Sequence, residues 1–468
     1  MSIMKTTIKI SVLAVCVHLL NTASSVAQSY YNSITMNNSS VGKFEMIEID
    51  VDVSTSYTNP YNKNEIHMYC QFKDNLNNCF YQDAFYYEGA FATFPSPDLE
   101  IIELDGTNNW KVRFTPNRAG QWTFRLCAID NTGTHYSGYY YFNCIPNDNK
   151  GFIKIKDSRY LRYDDNSNYI PIGGNYPYYQ GVRWGNNTRG TEEIKDAIDE
   201  MQANGINFFR FEMNEIGSLS IMGYDFQQNI NYYSYFNQRD SWRLDEIIEY
   251  ARAKNINIVL ALFAHSSFGD SGYCHNAWSG YNPFNININP SNSPVYPDTK
   301  GDCFTPYEFY SKSTAREIQY RFIRYSLSRW GYATNILAFE LMDEADRFDV
   351  FYSTPPPSNY DQAIIDWHTD MKNYINSIDP FDHLVTAAFA SHSHPATDLF
   401  QNMDFTQIHH YTDYDVWNYS NSSFQEPLFD DIYHFYDRFS KPVLHGEFGW
   451  STNYTEDDPN LYDLHSCL

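Results

Sequence analysis

The chain has 468 residues, and its 57 acidic and 32 basic side chains leave a formal net charge of −25 at pH 7. A charge this negative excludes partners that are recognised through a phosphate backbone, because such binding needs clusters of lysine and arginine. Aromatic residues make up 18% of the chain, which excludes a disordered polypeptide, because disordered sequences are poor in residues that can form a core.

The first 27 residues predict an export signal. Lys5 and Lys9 give it a positive start, an apolar stretch follows, and residues 25–27 (Ser-Val-Ala) match a cleavage pattern of small residues. The apolar stretch is about half of the ~20 residues that cross a bilayer, so a membrane anchor is not expected. We expect a chain that is cleaved near Ala27 and is secreted, periplasmic or held at the cell surface.

Seven cysteines remain after such a cleavage. Close spacing in an oxidising compartment predicts three candidate disulfides, and the sequence leaves their connectivity open. The candidate pairs are Cys70 with Cys79, Cys127 with Cys144, and Cys274 with Cys303, which leaves Cys467 over. None of these cysteines lies in the Cys-x-x-Cys spacing typical of zinc and redox sites, so a metal or redox site is not indicated.

Residues 28–148 predict an antiparallel β-sandwich. Short runs of alternating or β-branched and aromatic residues occur, for example, at residues 44–51 and 110–114, and turn sequences such as Asp105-Gly106 separate them. A period of two with frequent turns and without a helical stripe is typical of this architecture. We expect the sandwich to be an accessory domain.

From residue 149 onwards, short apolar strands alternate with helices. Helical stripes repeat at positions i, i+3, i+4 and i+7, as in Ile194, Ala197, Ile198 and Met201. Apolar strands without alternation are typical of parallel strands that are buried on both faces. Seven such strands are predicted, at residues 169–173, 206–211, 256–263, 336–341, 383–388, 405–411 and 442–446. The nearest architecture is an α/β TIM barrel, (β/α)₈, over residues 149–468.

Such a barrel needs an eighth strand, and only 21 residues follow Glu447. These residues are too few for helix seven, strand eight and helix eight together. We therefore expect the eighth strand to be missing, which favours a C-terminally truncated barrel over one whose eighth strand comes from elsewhere.

Ionisable side chains follow the predicted strands at their carboxyl ends, where (β/α)₈ barrels place their active sites. These side chains are Arg210 on strand two, His265 after strand three, Asp343 and Glu344 after strand four, His409 and Tyr411 on strand six, and Glu447 after strand seven. Two glutamates across one barrel mouth indicate cleavage of a glycosidic bond. One carboxylic acid protonates the leaving oxygen while the other carboxylate attacks the anomeric carbon.

Two motifs carry a resemblance to a known family. The sequence Phe-Glu-Leu-Met-Asp-Glu at residues 339–344 resembles the strand-four signature Glu-Leu-x-Asn-Glu of glycoside hydrolase clan A, the cellulase-like (β/α)₈ barrels of family 5. Residues 441–449, Lys-Pro-Val-Leu-His-Gly-Glu-Phe-Gly, resemble the strand-seven signature of the same clan. Residues 57–61 and 110–116 resemble the immunoglobulin-like domain of unknown function that often precedes such barrels in bacterial polysaccharide-degrading proteins.

The resemblance implies a retaining mechanism on β-linked glycans, with Glu344 as the general acid/base and Glu447 as the nucleophile. The substrate-binding residues that it implies are Arg210, His265, Asp343, His409 and Tyr411. We expect Arg210 to keep Glu447 ionised, because an opposite charge within about 4–6 Å favours the charged form. The acid must carry a proton, so we expect the pKa of Glu344 to be raised.

One position departs from the family. Asp343 stands where the family has an asparagine that both donates to and accepts from the sugar 2-hydroxyl, whereas an ionised aspartate only accepts. A second carboxylate beside Glu344 is expected to raise the pKa of that residue further. We predict an active site with an altered pH dependence.

Some neighbouring residues have structural interpretations. Glu340 is expected to be a buried, paired carboxylate, and strand alternation turns His410 and His445 away from the barrel mouth. Trp278 and Trp417 lie in long loops, where their rings could stack on sugars.

The sequence therefore predicts an exported glycoside hydrolase that cleaves β-linked polysaccharides or oligosaccharides without a metal or organic cofactor. Nucleic acids and a membrane span are not expected. The alternative, from another class of protein, is a non-catalytic glycan-binding protein on a degenerate barrel, and it is motivated by Asp343 and by the missing strand.

Overall fold

The computed structural model describes most of the chain. The described residues are 30–176, 189–213, 219–225, 230–233, 235–274, 276–288, 301–348, 352–413, 425–451 and 466–467. Within these ranges, the side chains at positions 225, 230, 231, 273, 411–413, 425–429, 449–451, 466 and 467 are not described. The predicted export signal and Trp417 lie outside the described residues.

The N-terminal region is a sandwich of two β-sheets. Its strands are β1 (Tyr31–Met36), β2 (Ser40–Gly42), β3 (Ile47–Val53), β4 (Ile66–Lys73), β5 (Cys79–Asp83), β6 (Phe85–Ser96), β7 (Leu99–Phe114), β8 (Gly120–Asp130), β9 (Gly133–Tyr136) and β10 (Tyr140–Ile145). One sheet has the order β1-β3-β7-β6, and the other has the order β2-β10-β8-β4-β5, with β9 added to β8. All pairings are antiparallel except that of β10 with β2.

Side-chain alternation explains why these strands form two layers. Along β4, buried and half-buried residues alternate at every position, so one face of the strand meets the opposite sheet and the other face meets solvent. Aromatic residues fill the space between the sheets. The rings of Phe72 and Phe114 stack at 4.0 Å, and Trp122 packs against Phe114 at 5.5 Å. This core agrees with the predicted sandwich.

A three-stranded antiparallel sheet connects the sandwich to the second region, which consists of parallel strands and helices. The connecting strands are β11 (Ile153–Ile155), β12 (Leu161–Tyr163) and β13 (Asn168–Tyr169). The parallel strands are β14 (Gly173–Asn175), β15 (Phe208–Glu212), β18 (Asn257–Ala261), β19 (Ile336–Glu340), β20 (Leu384–Thr386), β21 (Thr406–Asp413) and β22 (Val443–Ser451). The remaining strands are β16 (Gly223–Asp225), β17 (Ile230–Tyr232) and β23 (Ser466–Cys467).

Helices lie between the parallel strands, as the predicted alternation requires. They are α1 (Thr191–Ala203), α2 (Gln238–Ala253), α3 (Ala277–Gly280), α4 (Ser313–Trp330), α5 (Tyr360–Ile378) and α6 (Gln425–Phe439), with 3₁₀ turns at His265–Phe268, Gly272–Cys274, Pro306–Phe309 and Pro395–Gln401. Asn237 caps α2 by accepting hydrogen bonds from the backbone of Arg239 and Asp240. In the described part of the chain, no helix combines the length and the apolar composition that crossing a membrane demands.

The parallel strands follow the order of a (β/α)₈ barrel but do not close it by backbone pairing within the described ranges. The order β20-β19-β18-β15-β14 forms one sheet, β21 and β22 form a separate parallel pair, and an isolated bridge joins Phe389 to Ile408. On the other side of β14, the short strand β23 pairs antiparallel to it. The first parallel strand starts at Gly173, because Tyr169 belongs to the connecting sheet, so the predicted strand at residues 169–173 is placed about four residues too early.

The sandwich and the barrel meet at a buried cluster of charges, which we call the interface cluster. Asp245 on α2 accepts hydrogen bonds from Arg113 of the sandwich at 2.8 Å and from Arg329 at the end of α4 at 2.7 Å. Trp330 adds a third donor at 2.8 Å. Thr115 of the sandwich also donates to the backbone carbonyl of Tyr332. These contacts fix the sandwich against the outer helices of the barrel.

The three predicted disulfides are absent, and this prediction is wrong. Cys70, Cys79, Cys127, Cys144, Cys274 and Cys303 all carry free thiols. Cys79 lies opposite Lys73 on β4, three residues along that strand from Cys70. Cys144 lies opposite Gly120 on β8, seven residues along that strand from Cys127. At ~3.3 Å per residue, these offsets of about 10 and 23 Å exceed the ~7 Å that a disulfide spans.

Candidate active site

Arg210 is the centre of a buried polar cluster at the carboxyl ends of the parallel strands, which we call the site cluster. Strand β15 is buried at every position, so Arg210 is removed from solvent and needs partners there. Its guanidinium donates to four carboxylates: Glu340 through Nε at 2.7 Å and Nη2 at 2.6 Å, Asp343 at 2.7 Å, Glu212 at 3.0 Å and Glu447 at 3.0 Å. One cation therefore orients several acids that come from different strands.

Glu340 belongs to this cluster as a structural partner. It is fully buried, it receives the two hydrogen bonds from Arg210, and Gln407 on β21 donates to it at 2.6 Å. The prediction of a buried, paired carboxylate is confirmed. Glu340 binds Nε and Nη2 of Arg210 and so fixes the orientation of the guanidinium. The remaining nitrogen, Nη1, then donates to Glu447.

Glu344 follows β19 and is held by two histidines. Its backbone has φ 43°, in the left-handed region that a residue with a Cβ rarely adopts. Nδ1 of His409 lies 2.9 Å from one carboxylate oxygen of Glu344, and Nε2 of His265 lies 3.5 Å from the other. One of these histidines comes from the 3₁₀ turn after β18 and the other from β21.

Glu447 on β22 lies beside His409 on the neighbouring strand. A register shift between Ile408 and His409 brings His409 opposite Glu447. Nδ1 of His409 lies 3.6 Å from an oxygen of Glu447 and 2.9 Å from an oxygen of Glu344, so these two oxygens are at most about 6.5 Å apart. The two glutamates named from the sequence therefore lie beside the same histidine.

Asp343 lies between the cation and the histidines. One of its oxygens accepts the hydrogen bond from Arg210, and the other lies 3.0 Å from Nδ1 of His265. The charges of these neighbours hold the pKa of Asp343 well below its ordinary value, although burial alone would raise it. Asp343 is therefore an ionised acceptor in the free protein.

The pKa of Glu344 moves in the direction opposite to our expectation. Burial raises it, and the charge of Asp343 also raises it, but the positive charges of His265 and His409 outweigh both and lower the pKa of Glu344 below its ordinary value. Burial alone would lower the pKa of each histidine, yet hydrogen bonds and charges from the surrounding carboxylates raise both to about 9. The acid is adjacent to Glu344 in the sequence, whereas the two bases lie far from it along the chain and meet it only in the fold.

Glu212 is a member of the site cluster that the sequence analysis missed. It is buried at the end of β15, and it accepts from the same Nη1 of Arg210 that donates to Glu447. Burial, followed by the charge of Asp343, raises the pKa of Glu212 to about 8. Side chains two residues apart on a strand share a face, so Glu212 could have been inferred from Arg210.

Other residues from the sequence analysis have mixed outcomes. The backbone of Tyr411 lies in β21 directly after the two histidines, but its side chain is outside the described residues. His410 points to Asp431, and His445 is buried away from solvent, which agrees with structural roles. Trp278 is 2% exposed and packs on Phe268, so the interpretation that its ring could stack on sugars is wrong.

Asp343, His409 and Glu447 each offer one ligand atom, and these atoms lie within 4.8 Å of one another. The same carboxylates already accept hydrogen bonds from Arg210. A guanidinium next to the pocket opposes the entry of a second cation. The arrangement fits a guanidinium-centred site better than a metal centre.

The fold is that of glycoside hydrolase barrels with a preceding sandwich. A candidate glycoside hydrolase from Bacteroides vulgatus matches with a TM-score of 0.59 and 16% identity, over 89% of this chain and 67% of that protein. An endo-1,4-β-mannanase from Rhizomucor miehei matches with a TM-score of 0.45 and 19% identity, over 64% of this chain and 83% of that enzyme. A β-mannanase from the blue mussel Mytilus edulis matches with a TM-score of 0.43 and 12% identity, over 64% and 84% respectively.

Sequence comparison identifies one part of the chain. Residues 40–128 match the family described as a domain of unknown function, DUF5060. This match lies within the sandwich and agrees with the prediction of a domain of unknown function in that region. None of the curated protein sequences matches the chain.

Proposed function

We propose that the protein is an exported retaining glycoside hydrolase that cleaves β-linked glycans, with Glu447 as the nucleophile and Glu344 as the general acid/base. The observation that carries this proposal is the pair of carboxylates beside His409, with oxygens no more than about 6.5 Å apart. Retaining enzymes hold the two carboxyl groups about 5–5.5 Å apart, whereas inverting enzymes need roughly 6.5–9.5 Å to admit a water molecule between acid and sugar. An oxygen–oxygen distance of at most about 6.5 Å therefore favours a retaining mechanism over an inverting one.

In the first step, an oxygen of Glu447 forms a bond to the anomeric carbon while the bond from that carbon to the leaving oxygen breaks. The leaving oxygen takes a proton from Glu344. In the second step, water returns a proton to Glu344 and attacks the anomeric carbon, which releases Glu447. Arg210 donates to Glu447 and orients its carboxylate for the attack.

The proton for the first step has a source within the site. Glu344 is ionised in the free protein at neutral pH. Burial raises its pKa, but the two neighbouring histidines lower it by more. His409 carries a proton below a pKa of about 9, and its Nδ1 lies 2.9 Å from Glu344. Because His409 is the weaker acid, its proton moves to Glu344 only as Glu344 gives a proton to the glycosidic oxygen, and the proton that water supplies in the second step passes back through Glu344 to His409.

The test is hydrolysis of a panel of β-linked glycans and of β-aryl glycosides that differ in leaving-group acidity. We expect Glu447→Ala to lose about 10⁴-fold or more in kcat on every substrate, because no other group replaces the nucleophile. Glu344→Ala should lose a comparable factor on poor leaving groups but little on activated ones, because activated groups leave without acid assistance. Glu317→Ala, which removes an exposed glutamate from α4, is the matched control and should be unaffected.

Equal losses for both variants across the leaving-group series would refute the assignment of roles. The departure of Asp343 from the family pattern keeps a second candidate function, a non-catalytic glycan-binding protein. That candidate requires glycan binding without product release from any substrate of the panel. Measured turnover that is lost in Glu447→Ala excludes it.

A further inference from the structure

The outward face of the sheet β2-β10-β8-β4-β5 carries a cluster of tyrosines far along the chain from the site cluster. Strand register places them together: Tyr136 on β9 lies opposite Cys127, which lies opposite Tyr69, while Tyr81 lies opposite Gln71 on the next pair of strands. We call this surface the tyrosine face, and it consists of Tyr69, Tyr81, Tyr136, Tyr139 and Tyr141. The face belongs to the domain that has no assigned function.

The rings of the tyrosine face are open to solvent. Tyr81, Tyr136, Tyr139 and Tyr141 are 54%, 55%, 53% and 56% exposed. Inward-facing residues of the same strands are buried in the sandwich core, so the two faces of the sheet differ in role. Large aromatic side chains gathered on one solvent-facing surface mark an interaction site more often than chance exposure.

Arg125 organises the centre of the face. Its guanidinium lies 4.6 Å from the ring centre of Tyr136 and 5.3 Å from that of Tyr139. Its Nε donates to Gln71 at 3.2 Å, and Gln71 donates to the hydroxyl of Tyr81 at 2.9 Å. Contacts between neighbouring strands therefore hold the rings and the guanidinium in place before any ligand arrives, which lowers the entropic cost of binding.

The charge of the face differs from that of the whole protein. The chain has a net charge of −25. On the tyrosine face, however, two cations lie on neighbouring strands, Lys73 on β4 and Arg125 on β8. The carboxylate of this part of the face, Asp83, is already paired with His67 at 3.0 Å. Among the described residues, Lys73 and the terminal nitrogens of Arg125 have no carboxylate partner within ion-pair distance. The face thus offers cationic donors where the rest of the surface is acidic.

We propose that the tyrosine face binds an acidic polysaccharide, a chain whose sugars include uronates. A pyranose ring has an apolar C–H face that packs on an aromatic ring, and its hydroxyl edges accept hydrogen bonds from side chains such as Gln71. The carboxylate of a uronate complements the guanidinium of Arg125, which forms planar paired hydrogen bonds with such groups, and the ammonium of Lys73. Neutral glycans would leave these two cations without a counter-charge, and a nucleic acid would meet a strongly acidic protein with few cations.

The proposal does not depend on the proposed catalytic function, because the tyrosine face and the site cluster have no residue in common. The experiment measures the dissociation constants of the full chain, carrying Glu447→Ala to prevent turnover, for polygalacturonate, alginate and glucuronoxylan. A neutral β-glucan and a neutral galactan serve as comparison ligands. We expect at least one uronate-containing chain to bind more than tenfold more tightly than both neutral chains, and its binding to weaken as salt is raised.

Variants assign the binding to the face. Arg125→Gln should weaken binding of the acidic chain about tenfold while leaving binding of neutral chains unchanged, and Tyr136→Ala with Tyr139→Ala should weaken it by at least as much. Tyr160→Ala removes a tyrosine that is 58% exposed directly before β12, and it should have no effect. The proposal is overturned if none of the three acidic chains binds, if neutral chains bind equally well, or if the variants of the face bind like the control. Circular dichroism confirms that each variant is folded.

Discussion

The interface cluster and the site cluster are both buried, and they have opposite charge compositions. In the interface cluster, the carboxylate of Asp245 is shared by Arg113 and Arg329, and Glu48 pairs with Arg113 on its other side. In the site cluster, the single guanidinium of Arg210 is shared by four carboxylates. Arginine does not lose its proton in proteins, so the first arrangement has a fixed charge, whereas the second contains groups that can gain or lose protons near neutral pH.

Under the proposed function, this difference separates a structural network from a reactive one. A surplus of carboxylates around a pocket is costly for folding, but it favours the positive charge that develops on a sugar ring in the transition state of glycoside cleavage. A fixed, fully paired cluster suits a contact that does not have to change.

The largest effect is expected from breaking the interface cluster. Asp245→Ala removes the counter-charge of the buried Arg329 and leaves Arg113 with Glu48 alone, and removal of one partner from a buried ion pair costs about 3–5 kcal/mol. Urea denaturation of the full chain should show this loss in the free energy of unfolding. Asp199→Ala, which removes an exposed partner of Lys254, should leave the free energy of unfolding almost unchanged because solvent screens such a pair. Equal losses in the two variants would contradict the role of the cluster.

The site cluster should give the protein its pH-dependent stability. The pKa values of His265 and His409 are raised from 6.5 to about 9, so their stabilising effect is complete below pH 6.5 and is lost as the pH rises through 9. The pKa values of Asp343 and Glu344 are lowered, so their effect is present above about pH 4.5 and is lost as the pH falls.

Thermal unfolding should therefore show a maximum Tm between about pH 4.5 and 6.5, with a decline towards pH 9. In the double variant His265→Gln/His409→Gln, the alkaline decline should be smaller. The pKa of Asp245 is lowered, so this group stays ionised across the alkaline range and Asp245→Ala should keep the same alkaline slope. A wild-type Tm that is constant from pH 6.5 to 9 would contradict the assignment of these protonation states.

The smallest effect is expected at Glu212. Its pKa is raised from 4.5 to about 8, so the folded protein holds a proton that the unfolded chain releases, and stability falls as the pH rises between these values. Glu212→Gln imitates the protonated form. At pH 6 the variant should unfold within a few degrees of wild type, whereas at pH 9 its Tm should be higher than that of wild type. A variant that is less stable than wild type at pH 9 would show that the ionised carboxylate is needed there.

The sequence was sufficient for the strand order and for most of the site cluster. Buried parallel strands are apolar runs in the sequence, and five of the seven predicted runs end at or near an ionisable residue, as at Arg210 and Glu344. Glu212 was missed because the predicted strand ended before it, although β15 continues to that residue. The error came from the position of a boundary, which local sequence specifies poorly.

Cysteine pairing, the burial of loop side chains and pKa shifts depend on contacts between residues far apart along the chain, which local sequence does not specify. The spacing of Cys70 and Cys79 suggested a disulfide, but strand register sets which residues face each other. The loop position of Trp278 suggested exposure, but its packing on Phe268 buries it. The pKa of Glu344 depends on bases from other strands that only the assembled fold places beside it.

The backbone of Glu344 has a consequence for engineering. A residue with a Cβ at φ 43° is strained by about 1–3 kcal/mol, and glycine or asparagine would occupy the same position at lower cost. A search for heat-resistant variants that scores folding alone would therefore tend to replace this glutamate. Under the proposed function, selection on product release would retain Glu344, so the two selections would favour different residues at this position.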